Sequence, residues 1–331
     1  MAETTTPVHL LTGFLGSGKT TLLSWLVRSP AFADTAVIIN EFGDVGLDHA
    51  LMGKADEDDV VMLDSGCLCC ASNNSLQETL ESLYYRRLRG ELPPFARVVV
   101  ETSGLADPAP LINSLYADAS VARHYRLAGV VTTVDVQHGL ATLDEFEAAA
   151  TQLAVADLVI LTKTDELEPQ AADAVAQRLA ERLPQVPLLR AAHGELPDPS
   201  AFFGAAPEHH LPAVRGLAPA QPAGRLAHVL RYGIASHVMR VDAPVSWAQY
   251  AAWVRGMQRA AGDRLLRVKG ILPIAGDVPH VVHGVRHLFS PPRPHEGAAP
   301  GELLGVIVVI ARDLDAEECE ALMQPLRPPC P

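Results

Sequence analysis

Short runs of consecutive apolar residues alternate with amphipathic stretches through the first two-thirds of the chain. The apolar runs are Val8–Leu11, Ala36–Ile39, Val60–Leu63, Arg97–Val100, Ala128–Val134, Asp157–Leu161 and Pro187–Arg190. Each is four to seven residues long and apolar at consecutive rather than alternate positions, the pattern of a strand covered on both faces. Between some of them lie helical patterns, among them Thr21–Val27, Ser75–Arg89 and Pro169–Leu183. Strands alternating with helices predict an α/β fold, a mostly parallel sheet with helices on both faces. In such a sheet, ligands gather beyond the carboxyl ends of the strands.

The pattern changes near Gly204. From there to Gly224 the chain is rich in Ala, Pro and Gly, including Pro207, Pro212, Pro219 and Pro222, and it has little periodicity. That is a linker composition. Beyond it, His228–Tyr232, His237–Val241, Leu265–Ile271, Val281–Phe289 and Leu303–Ile310 read as strands, and Ser246–Ala261 and Ala316–Met323 as helices. These predict a smaller C-terminal α+β domain. The expected division is an α/β domain over 1–204, a linker over 205–224 and the C-terminal domain over 225–331. There is no internal repeat, and the stretch from Pro294 to Gly301 reads as a loop.

Length and charge narrow the picture. A chain of 331 residues can bury two cores. No apolar run approaches the roughly 20 residues needed to span a bilayer, and Met1–Thr6 has neither a basic start nor an apolar core, so the expected location is the cytoplasm. A net charge of −13 argues against nucleic acid or an anionic membrane as partner and is compatible with a cation as cargo. Of five cysteines, three crowd at Cys67, Cys69 and Cys70, a poor disulfide framework.

The candidate chemistry falls at the strand ends. Gly13–Thr20 reads Gly-Phe-Leu-Gly-Ser-Gly-Lys-Thr, the G-x-x-x-x-G-K-[ST] pattern, between an apolar run and a helical one. Backbone N–H groups of such a loop at a helix start form an anion cradle. The expected phosphate contacts are Gly13, Gly16, Ser17, Gly18, Lys19, Thr20 and Thr21; Lys19 reaches the β- and γ-phosphates and the Thr20 hydroxyl holds Mg²⁺. Val98-Val99-Val100 ends in Glu101, a carboxylate positioned for Mg²⁺, followed by Thr102-Ser103-Gly104, whose Gly N–H can sense a γ-phosphate. A further strand ends in Thr162-Lys163-Thr164-Asp165, similar to the N/T-K-x-D base-recognition motif of GTPases. Asp165 can accept from both guanine N1–H and N2–H₂, and the Lys163 stem can lie on the base plane; Thr162 stands where Asn is commoner. Ala191-Ala192-His193 would offer a backbone contact to guanine O6.

Gly66-Cys67-Leu68-Cys69-Cys70 places three soft thiolates in an expected loop, suited to Zn²⁺ or Cu(I) and leaving one coordination position open. Glu41, Asp48 and His49 are candidates for the fourth ligand; a redox pair and inert buried thiols are the competing readings. The remaining histidines read as surface or satisfied core residues, with His283 and His287 expected to share one strand face.

Together these segments resemble the CobW family of P-loop GTPases, metallochaperones and metallocentre-assembly factors. The resemblance rests on Gly13–Thr20, Asn40-Glu41-Phe42-Gly43, Val45–His49, Gly66–Cys70, Glu101–Pro108 and Thr162–Asp165, with Arg267–Gly270 and His283–His287 in the C-terminal half. It implies GTP-dependent handling of zinc, cobalt or iron, with GTP/GDP, Mg²⁺ and Zn²⁺ (or Co²⁺ or Fe²⁺) as ligands and a client metalloprotein as partner. It also implies a C-terminal domain offering a surface for the client or for self-association into a homo-oligomer. Asp44 stands where Glu is frequent, and the long histidine tract of some members is absent. Leu105 follows Gly104, where self-sufficient GTPases commonly have a Gln to orient water, so the expected hydrolysis is slow, with Glu41 the first candidate to position water. A non-enzymatic metal- and GTP-responsive module, or an activator dedicated to one metalloenzyme of the cobalamin or nitrile hydratase type, is the alternative.

Overall fold

In a computed structural model, which describes residues 5–40, 60–62, 68–71, 75–183, 186–205, 228–229, 232–276, 278–295 and 304–327, the chain divides into two units. One comprises Met1–Arg178 with Pro187–Pro207, the other Leu179–Val186 with Glu208–Pro331. The expected linker over 205–224 lies almost wholly outside the described residues.

Among the described residues the first unit holds eight strands: β1 (Thr6–Gly13), β2 (Thr35–Asn40), β3 (Val60–Met62), β4 (Leu68–Ala71), β5 (Arg97–Thr102), β6 (Tyr125–Asp135), β7 (Leu158–Thr162) and β8 (Leu188–Arg190). They lie in the order β3-β4-β2-β5-β1-β6-β7-β8, and every neighbouring pair is parallel except β3 with β4. The helices are α1 (Lys19–Leu26), α2 (Leu76–Leu88), α3 (Ala109–Ala117), α4 (Ala119–His124), α5 (Gly139–Glu145), α6 (Glu147–Ala154) and α7 (Pro169–Arg182). Consecutive residues such as Leu10 and Leu11, or Val98, Val99 and Val100, are all fully buried, so the central strands are covered on both faces. On one face Leu22, Leu23 and Leu26 of α1 pack with Leu11, Val37, Val99 and Ile160. Ser75 and Glu78 close a capping box at the start of α2, through bonds of 3.1 and 3.3 Å, as their spacing requires.

Two expectations need correction here. The run at Val60 is not one of the parallel strands; it is a three-residue strand antiparallel to β4. The cysteine segment is not wholly loop either. Leu68–Ala71 forms β4, pairing Cys69 with Val37 and Cys70 with Ile38 on β2. Leu-Cys-Cys-Ala carries no charge that would oppose joining a ladder.

The second unit carries an antiparallel sheet. Its strands are β9 (His228–Val229), β10 (Ile234–Arg240), β11 (Leu265–Pro273), β12 (Pro279–Val285), β13 (Leu288–Phe289), β14 (Arg293–Pro294) and β15 (Val306–Arg312). Helices α8 (Trp247–Ala260) and α9 (Ala316–Leu322) cover it, with Trp253, Met257 and Cys319 packed on Val268, Leu272, Ile307 and Val309. Both start with capping boxes, Ser246 with Gln249 and Asp315 with Glu318. The shared strand face expected for His283 and His287 does not exist. β12 ends at Val285, and Arg286, at φ 54°, turns the chain into a hairpin that places His287 in the turn.

Candidate nucleotide site

β1 leaves the sheet at Gly13, and the chain curls through Phe14–Gly18 before α1 begins at Lys19. Gly13 has φ +145°, and a Cβ there would lie 2.3 Å from Thr133 Oγ1 and 2.6 Å from the Thr133 carbonyl oxygen. Only glycine lets β1 and β6 run this close beneath the loop. Neighbouring strand ends hold the loop from below. Ser17 Oγ is 2.7 Å from Thr133 Oγ1, and Thr162 Oγ1 donates to the carbonyls of Ser17 at 2.8 Å and Val134 at 3.2 Å. Buried Lys19 folds its ammonium back on the loop and donates to Gly13 O at 2.9 Å and Phe14 O at 3.3 Å. The loop therefore opens the eight-residue helix α1 at its positive end, where its N–H groups favour an anion.

Thr20, one residue into α1, donates its hydroxyl hydrogen to Glu101 Oε1 at 2.7 Å. Glu101 sits near the end of β5 and is almost wholly buried. A hydroxyl and a carboxylate converging at the phosphate loop form a hard-oxygen donor set, which fits Mg²⁺. Just beyond, Ser103–Ala106 makes a tight turn, with Ala106 N–H donating to Ser103 O at 3.1 Å. Gly104 in that turn presses on the phosphate loop; a Cβ would lie 2.7 Å from Leu15 Cδ2 and 2.9 Å from Leu15 N.

The Thr162–Asp165 segment leaves β7, the next strand but one from β1. Lys163 takes φ 56°, and its Nζ lies 2.5 Å from Asp135 Oδ2 at the end of β6. Asp135 also accepts the backbone N–H groups of Gln137 at 2.7 Å and His138 at 2.9 Å. Burial alone would raise the Asp135 carboxyl; the Lys163 ammonium and the two N–H groups outweigh it and hold the pKa below the ordinary value. A cavity of about 160 Å³ opens beside this pair, walled by Phe14, Gly16, Asp135, His138, Gln152 and Lys163. Asp165 accepts His193 N–H at 2.6 Å, and its other oxygen lies 3.0 Å from His193 Nδ1. The backbone bond from His193 is the main cause of its lowered pKa. The expected O6 contact from Ala191-Ala192-His193 is not supported. Their N–H groups donate to Leu161 O, Glu195 O and Asp165 Oδ1 respectively.

The structure thus brings together Gly13, Ser17, Lys19, Thr20, Glu101, Gly104, Thr162, Lys163 and Asp165 around the carboxyl ends of three strands, β1, β5 and β7. Sequence reasoning missed Asp135, although the signal was the one that identified Glu101: an apolar strand ending in a carboxylate. It also missed Thr133 and Gln152, which no local pattern marks. Of the expected metal site, Glu41, Asp48, His49 and Cys67 lie outside the described residues, and Cys69 and Cys70 are described only as backbone positions of β4. Among the described residues there is no cluster of three or more His, Cys, Asp or Glu side chains able to hold a metal ion. Nor, among them, is any helix long and apolar enough to cross a membrane.

A parallel sheet with a glycine loop, a Thr–Glu pair and a Lys-x-Asp segment at the carboxyl ends of its strands defines a P-loop nucleotide-binding domain. The family model for the CobW/HypB/UreG nucleotide-binding domain matches residues 7–190, and that for the cobalamin synthesis protein cobW C-terminal domain matches residues 234–327. The chain belongs to the CobW family. It is 32% identical over 323 residues to the zinc chaperone YjiA of Escherichia coli, covering 97% of this chain and 98% of that one. It is 34% identical over 224 residues to the zinc chaperone CobW of Pseudomonas aeruginosa, covering 58% of each. The crystal structure of the Zn(II)-bound YjiA GTPase from E. coli superimposes with a TM-score of 0.70 at 29% identity, over 98% of this chain and all of that one.

Proposed function

We propose that this protein is a GTP-hydrolysing metallochaperone that binds zinc through Cys67, Cys69 and Cys70 and delivers it to a client metalloprotein under control of the bound nucleotide. The observation that carries the nucleotide half is the convergence of three strand ends: the Gly13–Thr20 loop, Glu101 2.7 Å from the Thr20 hydroxyl, and the Thr162–Asp165 segment. Gly13, Gly16, Ser17, Gly18, Lys19, Thr20 and Thr21 bind the phosphates. Thr20 and Glu101 hold Mg²⁺, which when bound supplies charge neutralisation at the β- and γ-phosphates. The stem of Lys163 supports the base and Asp165 accepts from guanine, a pairing adenine cannot satisfy. Gly104 senses the γ-phosphate through its N–H.

The metal half is supported by the chemistry of three clustered thiolates and by relatives whose names describe zinc chaperones and, in Schizosaccharomyces pombe, a zinc-regulated GTPase metalloprotein activator. Glu41 and the residues to His49 link the two sites, ordering with GTP and relaxing after hydrolysis, as switch segments do. Cobalt or iron are the competing cargoes. The 1–204 and 225–331 segments act as nucleotide and client domains, in the cytoplasm, and the second also offers a surface for self-association.

Leu105 is more than half exposed and cannot hydrogen-bond water, which favours slow intrinsic turnover, on the order of 10⁻³ s⁻¹ or below. Phosphate release measured with GTP and with ATP, each with and without zinc, tests this reading. Slow GTP-selective release that zinc or client accelerates is the expected outcome. No release under any condition would leave a non-enzymatic GTP-responsive module, and equal ATP turnover would remove Asp165 from base recognition.

A further inference from the structure

Gln152 lies on α6, outside every motif, and is fully buried. Its Nε2 donates to two backbone carbonyls of the loop that follows β5, Gly104 O at 3.1 Å and Ala106 O at 3.0 Å. The same residue's backbone carbonyl accepts from Thr132 Oγ1 at 3.1 Å, which ties this turn of α6 to β6. One amide therefore spans the Ser103–Ala106 turn from a rigid element. Its orientation follows from its partners, because a flipped amide would set its oxygen against two carbonyl oxygens.

The other end of the amide sharpens the point. Gln152 Oε1 is buried and has no hydrogen-bond partner among the described residues. Burying an unpartnered amide oxygen is unfavourable, and a methionine or leucine would fill the same space without that cost. Filling space is thus a poor account of the residue. What an apolar side chain cannot do is grip both carbonyls. The Gly104 end of that turn lies against the phosphate loop, where a Cβ on Gly104 would come within 2.9 Å of Leu15 N, so holding the Gly104 and Ala106 carbonyls constrains the turn that carries the Gly104 N–H.

We propose that Gln152 is a positioning residue that sets the Gly104–Ala106 peptides against the phosphate loop and thereby determines how strongly the protein distinguishes GTP from GDP. The proposal rests on the reading of Gly104 as the γ-phosphate sensor. It predicts a specific effect: loss of the grip weakens the triphosphate and leaves the diphosphate, which never reaches Gly104, unchanged.

The test uses the full chain with Gln152→Met, similar in volume and without donors. Affinities for GDP and for a non-hydrolysable GTP analogue are measured with Mg²⁺, together with amide hydrogen exchange over Ser103–Ala106. The expected result is GDP affinity within about twofold of the parent and analogue affinity about tenfold weaker (roughly 1.4 kcal/mol), with faster exchange across the turn in the analogue complex. Unchanged affinity for both nucleotides, or equal loss for both, overturns the proposal. If the parent shows the same exchange over Ser103–Ala106 with GDP and with the analogue, the Gly104 reading itself fails. If the parent responds and the variant responds identically, only the role of Gln152 fails. Gln152→Leu, which fills the space and has no donor, repeats the test should Gln152→Met not fold. Failure of both to fold would make Gln152 a core residue and overturn the proposal as well.

Discussion

The two ends of the nucleotide site are held by different physics. At the phosphate end, glycine and hydroxyl groups fix positions: Gly13 allows β1 to touch β6, Thr133 and Thr162 fasten Ser17, and Thr20 meets Glu101. At the proposed base end polar pairs do so: Lys163 is paired with Asp135, and Asp165 accepts from the backbone N–H of His193. Steric and hydroxyl contacts are short-ranged and independent of salt. Ion pairs at a partly exposed rim are screened and exchange partners easily. The phosphate end is therefore built as a close-packed cradle, and the proposed base end as a set of charges able to exchange partners.

Substitutions should separate the two ends. The largest expected effect is at Gly13→Ala, where the new Cβ meets the Thr133 backbone oxygen. Backbone has to move, at a cost of about 3 kcal/mol or more, and binding of GTP and GDP should both fall below detection in calorimetry while the second unit keeps its fold. Asp165→Asn comes next. Exchanging one acceptor for a donor should weaken GTP about a hundredfold and favour xanthosine triphosphate, with phosphate contacts intact. Unaltered GTP affinity in that variant would remove the charged base end from the account.

Acid sensitivity sharpens the comparison further, because it should come from neither end. Asp135 and Asp165 are both held below the ordinary carboxylate range and stay charged on mild acidification. His9, buried on β1 beside Phe203, has its pKa lowered to about 4 by burial first and by Arg97 and Arg126 after that. The unfolded chain then binds the proton that the folded chain refuses between the ordinary value of 6.5 and about 4. Stability is full above that window and declines as pH falls through it, by no more than about 3 kcal/mol. Thermal melts from pH 7 to pH 4 should show the decline, and His9→Leu should flatten it. The smallest effect is expected at Asp135→Asn. Losing the partner of Lys163 should weaken GTP and GDP equally, about fivefold to tenfold, and reduce the salt dependence of both.

Legibility in the sequence followed how local each determinant is. The phosphate loop lies in eight consecutive residues, and Glu101 and Asp165 each end or follow an apolar run, so their positions could be read directly. Asp135 follows an apolar run just as Glu101 does and was passed over, because its importance lies in its pairing with Lys163, 28 residues on. Gln152 acts on carbonyls 46 and 48 residues away, and a backbone acceptor leaves no trace in sequence. The register of the second sheet was also hidden. The turn at Arg286 splits what reads as one strand, and periodicity is blind to a left-handed residue that is not glycine. Strand pairing of Leu68–Ala71 was obscured because clustered cysteines read first as ligands.

Control of the metal by the nucleotide would show as a change in zinc affinity of the full chain, measured by competition with a chromophoric chelator, between its complexes with GDP and with a non-hydrolysable GTP analogue. A ligand that binds both states equally shifts neither, so the account predicts affinities differing by about tenfold or more between the two complexes. It also predicts loss of the tight site in the Cys67→Ser, Cys69→Ser, Cys70→Ser triple variant. Equal zinc affinity with both nucleotides would contradict the account.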